Sequence, residues 1–264
     1  MRVILLTHGG ADLVIERLAS IESVEFAGVF IERPTSPDRS FVEKLRRSLK
    51  YDGVAATAGK AFAFRSRQEN NGSESKSDTT VRRARELAVP VFEVDDLHSA
   101  STIEEMQSPA PDLAVIFGTN IIRENVYSIP RLGSINLHQG MAPYYRGGPP
   151  VFWELFNDEK EIGLTVHFVA AKVDTGDIVL QEKVPLDYDR SFGVDFEGFI
   201  HNYRSCLRVG SAELIGRAVE QIASGSFERV PQDTSLGRRY RLPTKKEKDE
   251  LRRRLKARLN RGEH

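Results

Sequence analysis

Only one of the 264 residues is cysteine, Cys206, so no disulfide can form within the chain, and a lone thiol suits a reducing compartment. An excess of one charge is also lacking. The 38 Lys and Arg residues balance 38 Asp and Glu, which removes any global pull toward nucleic acid or an anionic membrane. No apolar run reaches the roughly 18 residues of a membrane span. The opening MRVILLTHGGAD has no small-residue cleavage site of the kind a signal peptide carries. With those classes set aside, the chain reads as a soluble, cytoplasmic protein. Its 40% hydrophobic content is enough to bury a sizeable core, as one large domain or one domain with a small appendage.

What is present is an alternation of short apolar runs and helical patterns. RVILLT (2–7), VEFAGVFIE (24–32), VPVFEV (89–94) and PDLAVIFGT (111–119) read as strands, as do LGSINLH (132–138), GLTVHFVAA (163–171) and DIVLQEKVPL (177–186). Helical periodicity falls on 11–20, the first half of 41–62, 81–88, near 101–107 and over 191–222. Residues 65–80, RSRQENNGSESKSDTT, contain no aliphatic side chain and read as a flexible loop, either a substrate lid or a surface insertion. The tail at 243–260 places Leu251, Leu255 and Leu259 on one face of a short amphipathic helix. The pattern predicts an α/β fold: a Rossmann-like, mainly parallel sheet flanked by helices, with 163–186 pairing antiparallel at its edge and a short helical C-terminal extension. The expected division is a catalytic domain over 1–190, with 191–264 packed on it as a helical part and charged tail.

Candidate chemistry sits in INLHQGMAPYYRGG (135–148). Strand alternation points Asn136 and His138 to one face, and Gly140 and Pro143 end the strand just beyond them. That places an amide and an imidazole at the carboxyl end of a strand, where open α/β sheets gather ligands. Further along, VDTGDIV (173–179) puts Asp174 in a tight turn, with Gly176 supplying left-handed freedom. An amide, an imidazole and a carboxylate on adjacent strand ends suit acyl transfer. The first two would stabilise an oxyanion, and the carboxylate would raise the pKa of the imidazole.

Together, INLHQGMAPYYRGG and EIGLTVHFVAAKVDTGDIVLQEKVPL resemble the catalytic half of the 10-formyltetrahydrofolate-dependent formyltransferases. Asn136 and His138 match the family's Asn-x-His, Pro143, Tyr145, Arg146 and Gly147 its following loop, and Asp174 and Gly176 its Asp-x-Gly. The match is clear from about 111 to 186, and QGMAP departs from the family's Ser-Leu-Leu-Pro beside the acceptor. The resemblance implies Asn136, His138 and Asp174 as catalytic residues, with no metal and no covalent enzyme intermediate. It also implies 10-formyltetrahydrofolate as co-substrate, held along Asn120, Ile121 and Ile122, past Gly148, and under the main chain of Ala170, Ala171, Lys172 and Val173.

THGGAD (7–12) invites a phosphate loop but lacks the dinucleotide spacing. His167 faces the same way as Thr165 and reads as a packed strand residue, and His201 and Cys206 have no partners at metal spacing. The expected acceptor is a small primary amine on a nucleotide-linked amino sugar. Methionyl-tRNA and a purine precursor are the alternatives. Nucleic acid is disfavoured by the zero net charge and by the 78 residues from 187 to 264, which read as helices rather than the β-barrel that tRNA-acting relatives carry. No membrane partner is expected, and room is left for a homodimer.

Overall fold

The computed structural model describes residues 1–33, 75–186 and 196–261. Its centre is a seven-stranded sheet in the order β3-β2-β1-β4-β5-β7-β8. The strands are β1 (Arg2–Thr7), β2 (Glu25–Glu32), β3 (Val91–Val94), β4 (Leu113–Phe117), β5 (Ser134–His138), β7 (Glu161–Phe168) and β8 (Ile178–Pro185). β3 to β5 run parallel; β7 and β8 add an antiparallel edge. The parallel strands are apolar on both sides because both faces are covered, as the burial of Val3, Ile4, Leu5 and Leu6 in β1 illustrates.

Helices α1 (Asp12–Ala19), α2 (Lys76–Glu86) and α6 (Phe196–Ser224) pack on one face, where Val14, Ile15, Val81, Ala84, Leu214 and Ile215 join the main core. α3 (Ala100–Gln107) and α4 (Glu124–Tyr127) cover the other face through Met106 and Val126. Arg17 on α1 ties the helical layer together, donating to Glu213 at 2.9 Å and to Glu220 at 2.8 Å on α6. Cys206 lies exposed on α6.

α2 begins earlier than its sequence pattern suggests. Ser75 caps it, and Ser75 and Asp78 form a reciprocal capping box, so residues 75–80 of the expected polar loop are the first turn of a helix. The cap satisfies backbone donors that the apolar pattern does not reveal. Residues 65–74, the expected helix at 41–62 and the turn after Arg33 lie outside the described residues.

A second, smaller core forms around α5 (Phe152–Phe156), a helix too short to show a sequence period. Phe152, Trp153 and Leu155 pack there with Ile200, Tyr203 and Leu207 of α6 and with Leu251 and Leu255 of α7 (Lys245–Arg261). The charged tail is therefore a docked helix, held at its rim by Arg258 and Asp158 at 3.2 Å. Among the described residues no helix is long and apolar enough to cross a membrane.

Leu251 is 1% exposed, so Leu251→Ala should lower unfolding stability by about 2–4 kcal/mol. Urea denaturation checks this. A change below about 0.5 kcal/mol would show that α7 does not hold this position in solution.

Candidate active site

β5 splits its side chains as alternation requires. Ile135 and Leu137 enter the main core, and Asn136 and His138 face the opposite side. β7 lies antiparallel beside it, opposing His167 to Asn136 and Thr165 to His138. Thr165 and β8 then fix the loop after His138. The Thr165 hydroxyl donates to the Gly140 carbonyl at 2.8 Å and accepts from the Ala142 N–H at 3.2 Å, while Gln181 Nε2 donates to the Ala142 carbonyl at 2.7 Å.

Asp174 arrives by a less direct route than adjacent strand ends. β7 leaves the sheet at Phe168, opposite Ile135, so its loop must double back across the site to bring Asp174 beside His138. The Phe168 N–H donates to the Asp177 carbonyl at 2.8 Å and closes the base of that loop. A Cβ at Gly176 would stand 1.8 Å from the Phe168 carbonyl oxygen, so only glycine fits. The left-handed residue is Asp174 itself, with φ 54°. Asp tolerates this better than most residues. Gly176 is therefore required for close approach rather than for its dihedral freedom.

The result is one carboxylate between two imidazoles. Asp174 Oδ2 lies 3.5 Å from His138 Nδ1, and Oδ1 lies 3.6 Å from His167 Nε2. The Gly147 N–H donates to Oδ2 at 3.0 Å. His138 Nε2–H donates to the Tyr145 carbonyl at 2.5 Å, and His167 Nδ1–H to the Phe168 carbonyl at 2.8 Å. The Asn136 amide sits 3.4 Å from His167 Nε2. His167 is thus more than a packed strand residue: it joins Asn136 and Asp174. Parity within β7 groups it with Thr165, but only the register with β5 and the return of the loop put it beside Asn136 and Asp174.

The electrostatics follow from burial. Burial tends to raise the Asp174 pKa, but the adjoining His167 ring and the field of His138 outweigh it, with the Gly147 amide adding to them, and hold it at about 2. Burial is also the largest influence on His138 and pushes its pKa down. Asp174 and the Tyr145 carbonyl oppose that shift without reversing it. Asp174 thus acts on the ring in the direction expected of a carboxylate, but desolvation of the ring exceeds that attraction. The site offers an ionised carboxylate, an imidazole that burial keeps neutral and an amide.

A strap from the C-terminal part locks the loop at 143–147. β6 (Tyr145–Arg146) pairs with β9 (Arg238–Arg239), and Arg146 donates to the carbonyls of Pro143 and Thr234, both at 3.0 Å. Tyr145 stacks on Tyr240 with ring centroids 5.1 Å apart. A Cβ at Gly237 would stand 1.9 Å from the Pro143 carbonyl oxygen, so the strap lies flat against the loop only because that residue is glycine.

Other sequence-named positions fare differently. Asn120 and Ile121 are exposed beyond β4, Ile121 at 68%, whereas Ile122 buries its side chain in the core beneath α3 and α4, leaving only main chain to offer a ligand. Ala171 and Lys172 are exposed, and Ala170 and Val173 half-buried, on the Asp174 loop. Gly148 faces inward. A Cβ there would come within 2.7 Å of the Trp153 ring, and the residue lines a narrow slot beside His138. The amides of THGGAD are already engaged: Gly9 N–H donates to Thr7 Oγ1, Gly10 N–H to Thr80 Oγ1 and the Lys76 carbonyl, and Ala11 N–H to Thr80 Oγ1. No phosphate loop is open there.

A family-wide sequence profile described as formyl transferase matches residues 36–193, more than half of the chain. The chain belongs to the formyl transferase family. Among curated relatives, the methionyl-tRNA formyltransferase of Chlorobium chlorochromatii is 34% identical over 153 residues, covering 58% of this chain and 46% of that protein. That of Syntrophus aciditrophicus is 31% identical over 172 residues, 64% of this chain and 52% of that protein. The chain thus spans about half the length of the curated relatives it matches. Among solved formyltransferase structures, glycinamide ribonucleotide transformylase 1 from Symbiobacterium toebii aligns with a TM-score of 0.56 at 20% identity, over 92% of this chain and 94% of that one. A sugar 3N-formyl transferase, determined with dTDP and 5-N-formyl-THF, aligns with a TM-score of 0.54 at 13% identity, over 93% of this chain and 70% of that one. At these identities the two structures establish a shared fold.

The depressed Asp174 pKa fixes a sign. A carboxylate lowered from 3.8 to about 2 adds stability above its unfolded value, and that contribution is lost as pH falls through about 2. The contribution is on the order of 2 kcal/mol. The melting temperature of the wild type should fall between about pH 4 and pH 2 more steeply than that of Asp174→Asn. Parallel curves would place the carboxylate outside this pair of imidazoles.

Proposed function

We propose that the protein transfers a formyl group from 10-formyltetrahydrofolate to a primary amine carried by a nucleotide-linked amino sugar. The observation that carries the transfer is the convergence of Asn136, His138 and Asp174 on one face of β5. The folate supplies the activated formyl carbon when bound. The exposed edge at Asn120 and Ile121 and the main chain of 170–173 suit a flat ring held by backbone contacts. The Asn136 amide would donate to the oxyanion that forms as the amine attacks, and the His138 ring, on taking a second proton at Nδ1, would add positive charge beside it. Asp174, ionised and hydrogen-bonded by Gly147, would orient His138 and hold charge complementary to a proton arriving on the ring. We read 1–190 as the catalytic unit and 191–264 as a part of the same domain that braces it.

Two observations support the acceptor. Most arginines in the described residues pair with carboxylates, but Arg238 and Arg239 on β9 are exposed and have no carboxylate partner among the described residues. The Arg239 side chain crosses beside Gly147, within 3.1 Å of a Cβ built there, next to the Asp174 loop. Phosphate groups of a nucleotide suit such a pair. The closed amides of 9–11 disfavour a purine precursor whose ribose phosphate would bind there. Methionyl-tRNA is the second reading, favoured by the curated relatives at 31–34% identity.

Purified protein, 10-formyltetrahydrofolate and a panel of nucleotide-linked amino sugars should release tetrahydrofolate with one sugar and not without an acceptor. His138→Ala should stay folded and lose about 100- to 10,000-fold in turnover. Release with methionyl-tRNA alone would overturn the sugar reading. Full turnover in folded His138→Ala would overturn the mechanism.

A further inference from the structure

Behind the site stands a buried carboxylate that the steps above do not use. Glu154 lies on α5, 3% exposed, between residues that fill the second core. Burial pushes its pKa up to about 7, its own backbone N–H opposes that, Glu159 adds to it and Arg204 opposes it. Arg204 does not pair with it, since that guanidinium donates to the Pro150 carbonyl at 2.9 Å and 3.2 Å. Glu159 is engaged by the Tyr145 hydroxyl at 2.7 Å. Among the described residues no other side chain donates to the Glu154 carboxylate.

Glu154 and His138 line the same slot, together with Gln139, Tyr145, Trp153 and Tyr240. The slot has room for about one water molecule. His138 Nε2–H already points at the Tyr145 carbonyl, and Tyr145 forms one wall of the slot. The charged and titratable groups around Glu154 are thus His138 from β5, Tyr145 from the following loop, Tyr240 from the strap, Arg204 from α6 and Glu159 from the turn after α5.

We propose that Glu154 is a proton-storing partner of His138: through this slot it takes up the proton that the attacking amine gives to His138, and returns it to the departing folate nitrogen. The inference rests on the formyl-transfer reading. Its balance is simple. One N–H bond of the amine breaks as its C–N bond forms, Glu154 holds that proton as a neutral acid, and the same proton ends on the folate nitrogen as the formyl C–N bond breaks. The neighbouring groups leave this task open. Asp174, held at about 2, is a weak proton acceptor near neutral pH, and burial makes a lasting charge on His138 costly. A carboxylate titrating near neutrality is matched to accept and release a proton. Glu154 would act through His138, and so is a positioning residue rather than one that touches substrate.

Trp153 adjoins Glu154 in the slot and is the sole tryptophan of the chain, so its fluorescence reports on this carboxylate whether or not an acceptor is known. In the wild type the emission should titrate near pH 7. Glu154→Gln should abolish that step, and His138→Gln should shift its midpoint. Because a raised carboxylate pKa means the folded state binds more protons between about pH 4.5 and 7, stability falls across that window. Glu154→Gln should therefore melt higher than the wild type at about pH 8. With a responding acceptor, Glu154→Gln should lower kcat about 10- to 100-fold and remove the limb near neutrality from its pH profile, with folate affinity retained. A fluorescence step that survives Glu154→Gln, or a midpoint unmoved by His138→Gln, overturns the proposal. The second comparison stands even if the first variant does not fold. Absence of formyl transfer by the wild type would sink the functional reading, while the fluorescence titrations would still decide the pairing of Glu154 with His138.

Discussion

The contact on which the site depends is a single carboxylate held between two imidazoles. Asp174 reaches both His138 and His167 because its loop folds back over the sheet face. That path requires a residue without a side chain at Gly176, a left-handed turn at Asp174 and a loop base closed by the Phe168 and Asp177 backbone. Each device is local, and each would be pointless without the others. Their shared effect is to keep a buried charge ionised, with the Gly147 amide donating to it and two imidazole rings beside it.

The C-terminal residues serve the same end from the other side. The strap carrying β9 and Gly237 lies flat on the loop at 143–147, and Arg146 clamps it. α7 and α6 press α5 into place beneath. The Gly147 amide that holds Asp174 thus owes its position to residues far along the chain. The two side chains that match the family loop, Tyr145 and Arg146, are both spent on bracing: Tyr145 on Tyr240, Glu159 and Asn157, and Arg146 on two carbonyls.

Much of this was legible beforehand. The apolar runs at 2–7, 24–32 and 111–119 became β1, β2 and β4 because fully buried parallel strands leave an unmistakable composition. The antiparallel edge followed from the short spacing between β7 and β8. Asn136, His138 and Asp174 were visible as a spacing, and the structure brings them together. Other features left no trace. α5 is too short for a period, the start of α2 rests on a capping box in a polar stretch, and β9 is only Arg238–Arg239, recognisable through its partner. His167 and Glu154 were missed for one reason: a buried polar residue in an apolar run shows what surrounds it only once the chain has closed over it. The sign of the His138 shift was hidden likewise, since desolvation is a property of the packed interior.

If Asp174 acts by organising the imidazoles while main chain holds the folate, the two functions should separate in one variant. The direct measurement is calorimetric affinity for 5-formyltetrahydrofolate, set beside turnover, in wild type and Asp174→Asn. The account predicts affinity within about twofold of wild type and turnover reduced by about 100-fold or more. Loss of folate affinity in step with turnover, or turnover left intact, would contradict it.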